Sequence, residues 1–155
     1  MKELNLIIKE TNELSPKELV NIMQERVKVF VVEQNCPYQE VDKLDETATH
    51  VLLQEQDKLV AYARIIPHVD QVHISFGRVL VVKEYRKHKL GRKIVQAALD
   101  QIQKQFPNKE VKIQAQSYLQ NFYSSFGFKA VSDVYLEDNI PHLDMVLEKQ
   151  NTDLR

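Results

Sequence analysis

The chain has 155 residues, 43% hydrophobic and 28% charged, with 21 basic and 22 acidic side chains and a formal net charge of -1. These values are typical of one soluble globular domain and exclude collagen-like, globally disordered and membrane-spanning chains. The near-zero charge argues against a nucleic-acid-binding polycation. Cys36 is the one cysteine, which excludes an internal disulfide and a multi-cysteine zinc site. Since the N-terminus lacks a signal-peptide pattern, we expect a reducing, cytoplasmic location and a single domain over residues 1–155.

Hydrophobic periodicity predicts strands and helices that alternate along the chain. Ser15, Pro16 and Glu18 form a capping box at the start of the first helix, and Gly127 stands where a left-handed cap would end the last one. The apolar run 79–82 predicts a strand buried on both faces. The elements predicted in chain order are a strand at 4–10, a helix at 16–30, strands at 51–55, 59–66 and 72–82, a helix at 90–106, a strand at 111–115, a helix at 119–126, and strands at 129–136 and 142–147. A parallel crossover at the centre, with antiparallel pairs at both ends, predicts an α+β domain with a mixed, mostly antiparallel sheet flanked by helices.

A basic turn follows the buried strand and leads into the long helix. Between Lys83 and Lys93 the sequence has six lysines or arginines and one acidic residue. A helix N-terminus presents unpaired N–H groups and about half a positive charge, and Gly91 would let the backbone approach a ligand, so the segment predicts a pyrophosphate site. Basic side chains that merely cover a solvated helix start are one alternative. Phosphate contacts with nucleic acid are another, although the segment is short and lacks interleaved aromatic residues.

This segment resembles the pyrophosphate loop of the GNAT superfamily of N-acetyltransferases, which reads Arg/Gln-x-x-Gly-x-Gly/Ala after a buried fourth strand. The matching run is Arg86-Lys87-His88-Lys89-Leu90-Gly91, and it departs from the pattern at Lys89, where the family has glycine. Phe122-Tyr123 with Gly127-Phe128 resembles the family's Phe-Tyr-x-x-x-Gly-Phe segment. A likeness to the ElaA-like branch extends over residues 20–147. It rests on Phe30-Val31-Val32-Glu33-Gln34, Asp42-Lys43-Leu44-Asp45 and Ile140-Pro141-His142.

The resemblance implies a GNAT fold with splayed fourth and fifth strands, and transfer of an acetyl group from acetyl-CoA directly to a primary amine. The pantetheine arm would pair with backbone groups that a bulge frees near the middle of the fourth strand. A backbone N–H would polarise the thioester carbonyl, and the pyrophosphate would lie on the basic turn. Gln116 stands where the family commonly has asparagine. The residues implied to bind acetyl-CoA are Val79, Leu80, Val81, Arg86, Lys87, His88, Lys89, Leu90, Gly91, Arg92 and Gln116.

The reaction needs two proton transfers, because an amine with a pKa of ~10.4 is mostly an ammonium at neutral pH and the leaving thiolate needs a proton. By resemblance, Tyr123 is the general acid; by its neighbours Phe122 and Phe126 alone, it would be a core tyrosine. The general base stays open, because the strand position at which several family members carry glutamate is Ser75 here. The candidates for the base are Glu33, His142, His50, His73 and a water relay.

Two acidic segments bear on the acceptor. Residues 33–46 have five carboxylates and one lysine, and residues 133–144 have four carboxylates without lysine or arginine. Because the fold implied by the resemblance places both segments near the acceptor, we expect a cationic amine, unless these loops are simply solvated. We expect no metal, nucleic-acid or membrane partner, and a homodimer stays open. An acyl-CoA-binding sensor without turnover is the alternative to an enzyme.

Overall fold

The computed structural model describes residues 3–148, which form two compact units. Within the described residues, the first unit covers 3–66 and 76–104, and the second covers 67–75 and 105–148. Residues 1–2 and 149–155 are outside the described part of the chain. The chain passes from one unit to the other after Ile66, after Ser75 and after Lys104.

The first unit is built of strands and two long helices. Its elements are β1 (Asn5–Glu10), α1 (Pro16–Val27), β2 (Thr49–Glu55), β3 (Lys58–Pro67), β4 (Ile74–Val81) and α2 (Leu90–Gln105). β1 pairs antiparallel with β2, β2 pairs antiparallel with β3, and β3 lies beside β4. The predicted hairpin and both helices are therefore confirmed. The core of this unit is formed by Ile22, Leu52, Leu59, Tyr62, Leu80 and Val82.

The capping box of α1 is present as predicted. The Ser15 hydroxyl accepts a hydrogen bond from the Glu18 N–H at 3.0 Å, and the Glu18 carboxylate accepts one from the Ser15 N–H at 2.8 Å. After Val27 the chain continues as a π-helical segment, Lys28–Glu33. The Cys36 N–H then donates to the Val31 carbonyl at 3.1 Å, and the Cys36 side chain is buried.

β4 begins at Ile74, two residues later than predicted, and its interior contains a left-handed residue. Arg78 has φ +52, whereas the preceding Gly77 has no positive φ. This left-handed residue interrupts the regular strand conformation at the place where the family resemblance predicts a bulge. The prediction that 79–82 is buried on both faces is wrong. Since side chains alternate along a strand, Leu80 and Val82 enter the core while Val79 and Val81 are only half-buried.

The second unit contains one short helix and the remaining strands. They are β5 (Val111–Gln116), α3 (Gln120–Ser124), β6 (Lys129–Ala130), β7 (Tyr135–Glu137) and β8 (Ile140–Leu147). β5, β6 and β7 each pair antiparallel with β8. Ile74, at the start of β4, pairs in parallel with Val111, which confirms the predicted parallel crossover. Gly127, after α3, has φ +104, as a left-handed cap requires.

The strand predicted at 129–136 is two strands, β6 and β7. Ala130 faces Met145 and Tyr135 faces His142, so four residues on one side oppose two on the other. The Val131 N–H still donates to the Asp144 carbonyl at 2.9 Å, and beyond it the Ser132 hydroxyl replaces a backbone acceptor by receiving the Asp144 N–H at 2.9 Å. A side-chain hydrogen bond of this kind has no periodic signature, which is why alternation alone predicted one continuous strand.

Candidate active site

The basic turn, residues 83–92, connects β4 to α2. Lys83–His88 form a 3-10 turn, Lys89 follows with φ 57 and ψ 30, and α2 begins at Leu90, which is buried. The backbone reversal brings a set of cations to the N-terminus of α2. The exposed basic side chains of the basic turn are Lys83, Arg86, Lys87, His88, Lys89 and Arg92.

Lys89 explains why the family pattern has glycine at this position. Its left-handed backbone costs an L-residue about 1–2 kcal/mol, a cost that glycine avoids. Lys89 therefore preserves the shape of the turn while adding a charge. Gly91 is different, since a Cβ there would meet only Val81 Cγ2 at 4.0 Å. Within the described chain nothing crowds Gly91, so the space beside its backbone is open to an outside group.

Arg86 joins the basic turn to the end of the π-helical segment. Its Nη2 lies 2.7 Å from Glu33 Oε1, and its Nε donates to the Val81 carbonyl at 2.9 Å. Glu33, one of the predicted general bases, is thus held in an ion pair. The Val81 carbonyl, one of the groups predicted to contact pantetheine, is already an acceptor for Arg86.

Tyr123 lies in α3 with 6% of its surface exposed. Its ring meets Phe122 edge-on at 5.1 Å and Phe128 edge-on at 6.0 Å between centroids. Burial, with a smaller contribution from Tyr118, raises the pKa of Tyr123 to about 12. The phenol is therefore protonated at neutral pH, as a proton or hydrogen-bond donor must be.

His142 and Gln116 occupy paired positions on β8 and β5, so they share one face of the sheet in the second unit. His142 Nδ1 lies 2.7 Å from the Ile140 carbonyl, which can only accept, so Nδ1 carries the hydrogen. The lone pair is then on Nε2. The ring stacks on Tyr135 with a centroid distance of 6.3 Å and an interplanar angle of 22°. This tautomer gives His142 a nitrogen that can receive a proton.

Other candidates for the base are engaged elsewhere. His50 is completely buried, and its two ring nitrogens bond to Tyr62 Oη at 2.6 Å and Thr11 Oγ1 at 2.8 Å. Burial lowers the pKa of His50 to about 4. His73 Nδ1 lies 2.7 Å from the Asp70 carboxylate. Ser75 is buried in β4.

The acidic segment 33–46 is part of a buried ion network rather than a free negative surface. We define the ion network as three arginines and three carboxylates in the first unit: Arg26, Arg64, Arg78, Glu40, Asp42 and Asp45. Arg26 is fully buried and binds Glu40 at 2.9 Å and Asp45 at 2.7 Å. Arg64 binds Asp42 at 2.8 Å and Asp45 at 2.9 Å.

The network corrects the interpretation of this segment as an attractor of cations. Of its five carboxylates, three lie in the ion network and Glu33 binds Arg86, so arginines neutralise four. Sequence reasoning missed the network because its partners are far apart along the chain. One signal was available: Arg26 falls on the apolar face of α1, where a charged side chain requires a buried partner.

Comparison with known proteins decides the family. The family model for the acetyltransferase (GNAT) domain matches residues 12–149. The chain belongs to the GNAT acetyltransferase family. It is 45% identical to the protein ElaA of Escherichia coli over 140 residues, which are 88% of this chain and 92% of ElaA. It is also 45% identical to a UPF0039 protein of Schizosaccharomyces pombe over 150 residues, 96% and 99% of the two chains.

Solved structures agree with this assignment. The crystal structure of Escherichia coli ElaA has a TM-score of 0.88 at 42% identity, covering 94% of this chain and 100% of that one. An acyl-CoA N-acyltransferase from Pseudomonas aeruginosa has a TM-score of 0.89 at 38% identity, with the same coverage. This GNAT chain is thus a transferase with the predicted α+β fold, and its donor is an acyl-CoA thioester.

Two findings concern the part of the chain that is described. Within residues 3–148, no helix has the length and apolar character to cross a membrane. Over the same residues, histidine, cysteine and carboxylate side chains form no cluster of three or more that could hold a metal ion.

Proposed function

We propose that this GNAT enzyme transfers an acetyl group from acetyl-CoA directly to a primary amine. The observation that carries the proposal is the basic turn, in which left-handed Lys89 leads into the N-terminus of α2. Exposed cations, the positive end of the α2 dipole and the open space beside Gly91 together favour a diphosphate. The backbone of half-buried Val79, next to the left-handed Arg78 in β4, is proposed to pair with the pantetheine arm.

We assign the general base to His142. The acceptor must lose a proton from its ammonium form before it can attack, and an imidazole nitrogen with a free lone pair can receive that proton. The Nε2 lone pair of His142 supports this role, since Nδ1 is held by Ile140. Glu33 is the less favourable candidate, because its carboxylate already binds Arg86.

We assign Tyr123 a role at the leaving sulfur. With a pKa of about 12, its phenol is a weaker acid than a thiol at about 8.5, so full proton transfer to the thiolate would be unfavourable by roughly 5 kcal/mol. A hydrogen bond that strengthens as negative charge develops on the sulfur carries no such cost. Tyr123 is therefore proposed as a hydrogen-bond donor to the leaving thiolate, and the proton can follow from water.

The same proposal covers the whole chain as one acetyltransferase domain. Its support is the family model, which matches residues of both compact units. We propose no requirement for an acceptor with charge beyond its amine. In the second acidic segment Asp144 accepts a hydrogen bond from Tyr135 at 2.6 Å, while Asp133, Glu137 and Asp138 are exposed.

Release of free CoA thiol from acetyl-CoA in the presence of a panel of primary amines tests this function. Lysine peptides, polyamines and free amino acids make up the panel. We expect thiol release that depends on one amine class and falls roughly 10- to 100-fold in Tyr123→Phe. Tyr118→Phe is the matched control, because Tyr118 is close enough to Tyr123 to affect its pKa but is itself 74% exposed. The Tyr118→Phe variant should retain the wild-type rate.

Two outcomes contradict the proposal in different ways. Tight acetyl-CoA binding without release on any amine would favour the sensor without turnover, an alternative consistent with Ser75 at the family's glutamate position. Equal rates in Tyr123→Phe and the wild type would remove Tyr123 from the chemistry.

A further inference from the structure

The left-handed residue in β4 is a strained choice of amino acid. An L-residue disfavours this conformation by about tenfold or more relative to its ordinary backbone regions, whereas glycine adopts it freely. The preceding residue is Gly77, which could adopt this conformation freely, yet the residue with φ +52 is Arg78. The surroundings of the Arg78 side chain must therefore hold its backbone in place.

Those surroundings are the acidic segment after α1. Arg78 Nε lies 2.6 Å from Glu40 Oε2, and Arg78 Nη2 donates to the Glu40 backbone carbonyl at 2.7 Å. Asp42 lies 3.5 Å from the same Nη2, and the guanidinium covers the Tyr38 ring at 5.3 Å. The Arg78 side chain is thus fixed on both its charged edge and its flat face.

The anchor itself is rigid, because the rest of the ion network holds it. Glu40 is 3% exposed, and its carboxylate also accepts from Arg26 Nε at 2.9 Å, while Arg26 Nη2 donates to the Glu40 carbonyl at 3.0 Å. A buried carboxylate shared by two arginines has far less freedom than a surface ion pair. Displacement of Arg78 would separate its guanidinium from Glu40 and leave Arg26 as the remaining arginine on that buried carboxylate.

We propose that Glu40 is a positioning residue for catalysis, which acts by holding Arg78 and thereby keeps the bulge of β4 in its left-handed form. This inference rests on the proposed function, in which the bulge frees backbone groups beside Val79 for the thioester. Glu40 and Tyr38 touch neither substrate; they fix the backbone that does. The ion network thus serves the reaction as well as the fold.

The deciding comparison is Arg78→Ala against Arg78→Gly. Both variants lose the anchor, but glycine takes the left-handed conformation freely and alanine does not. We expect kcat to be about tenfold lower in Arg78→Ala than in Arg78→Gly, with a smaller difference in KM for acetyl-CoA. In a Glu40→Gln background the Arg78→Gly change should restore part of the lost kcat, because a glycine bulge needs no anchor.

A matched pair controls for the general effect of glycine at a left-handed position. Gln56 has φ +56 and is exposed in the turn between β2 and β3. Gln56→Ala and Gln56→Gly should differ in thermal stability, as the Arg78 pair does, but should have equal kcat. A kcat difference at Gln56 would show that stability alone moves the rate, which would overturn the proposal.

Hydrogen–deuterium exchange supplies a readout that needs no amine. The peptide covering residues 76–82 should exchange faster in Arg78→Ala than in Arg78→Gly, because only alanine loses the bulge. Identical exchange in the two variants, or identical kcat, overturns the anchor proposal. Absence of turnover in the wild type instead contradicts the proposed function, and the exchange experiment still decides the role of Arg78 in that case.

Discussion

His50 shows how strongly a single buried side chain can be constrained. The Thr11 hydroxyl donates its one hydrogen to the Asp45 carbonyl, so it can only accept from His50 Nε2. His50 Nδ1 must then accept from the Tyr62 hydroxyl. The neutral Nε2–H tautomer satisfies every partner, whereas a second proton on Nδ1 would force the Tyr62 hydroxyl to turn its hydrogen away and accept instead.

This arrangement predicts a loss of stability on acidification. The pKa of His50 is about 4 in the folded chain and about 6.5 when unfolded, so only the unfolded chain binds a proton between these values. The free energy of unfolding should therefore fall as the pH decreases from 6.5 towards 4, by about 3 kcal/mol. Urea unfolding at a series of pH values measures this slope.

His50→Gln is the control for that slope. Glutamine can keep one donor and one acceptor for Thr11 and Tyr62 but does not titrate. The free energy of unfolding of this variant should be nearly independent of pH between 6.5 and 4.5. Protonation of Asp45, whose pKa is about 2 in the folded chain, affects the stability only at lower pH. Parallel slopes in the variant and the wild type would contradict the assignment.

At this scale the sequence predicted some residues better than others. The short helix that carries Tyr123 and the left-handed cap at Gly127 could be predicted from a local motif, because its spacing is contained in a few residues. The sequence did not allow a choice among the candidate bases. The tautomer of His142 depends on the Ile140 carbonyl, and Glu33 is engaged by Arg86, which is 53 residues away.

Among the elements, the basic turn offers a test of backbone conformation. Lys89→Gly and Lys89→Ala both remove the charge, but only glycine relieves the left-handed backbone. We expect Lys89→Gly to be up to about 1 kcal/mol more stable than Lys89→Ala in urea unfolding. Both should weaken acetyl-CoA binding by about threefold, as loss of one exposed charge does. Equal stability of the two variants would contradict the left-handed conformation.

Most elements could be predicted because their signals are local. The capping box of α1 and the β2–β3 hairpin are encoded by adjacent residues, and α2 begins at Leu90 as its periodicity indicates. β6 and β7 were merged into one strand because Ser132 replaces a ladder contact. The burial of 79–82 was overestimated because an apolar run does not reveal which face of a strand is covered.

For the whole molecule, charge is unevenly distributed rather than large. The chain has a net charge of -1, yet the segment 83–93 contains six basic residues and one acidic residue. A polyanionic ligand would gain nothing from the net charge, so its affinity must come from the local excess. The ion network escaped prediction at this scale, because its ion pairs join α1, the acidic segment, β3 and β4 through residues distant in sequence.

The uneven charge predicts salt-sensitive donor binding. Raising the ionic strength from about 0.01 M to about 1 M shortens the Debye length from about 30 Å to about 3 Å, which screens the basic turn. Acetyl-CoA should raise the melting temperature strongly at low salt and weakly at high salt. S-acetylpantetheine, which lacks the diphosphate, should produce a shift that salt leaves unchanged. A salt-independent shift with acetyl-CoA would place the diphosphate away from the turn.

The buried thiol of Cys36 can serve as a probe of local opening. This cysteine, 7% exposed, lies two residues before Tyr38 and four before Glu40, in the segment that anchors β4. A thiol reagent can modify it only when that segment opens, so the rate of modification reports the frequency of opening. Because it is buried, the Cys36 thiol also adds little signal to a colorimetric assay of the CoA thiol that the reaction releases. Cys36 therefore adds little background to the thiol assay, and its rate of modification measures how often the segment that anchors Arg78 opens.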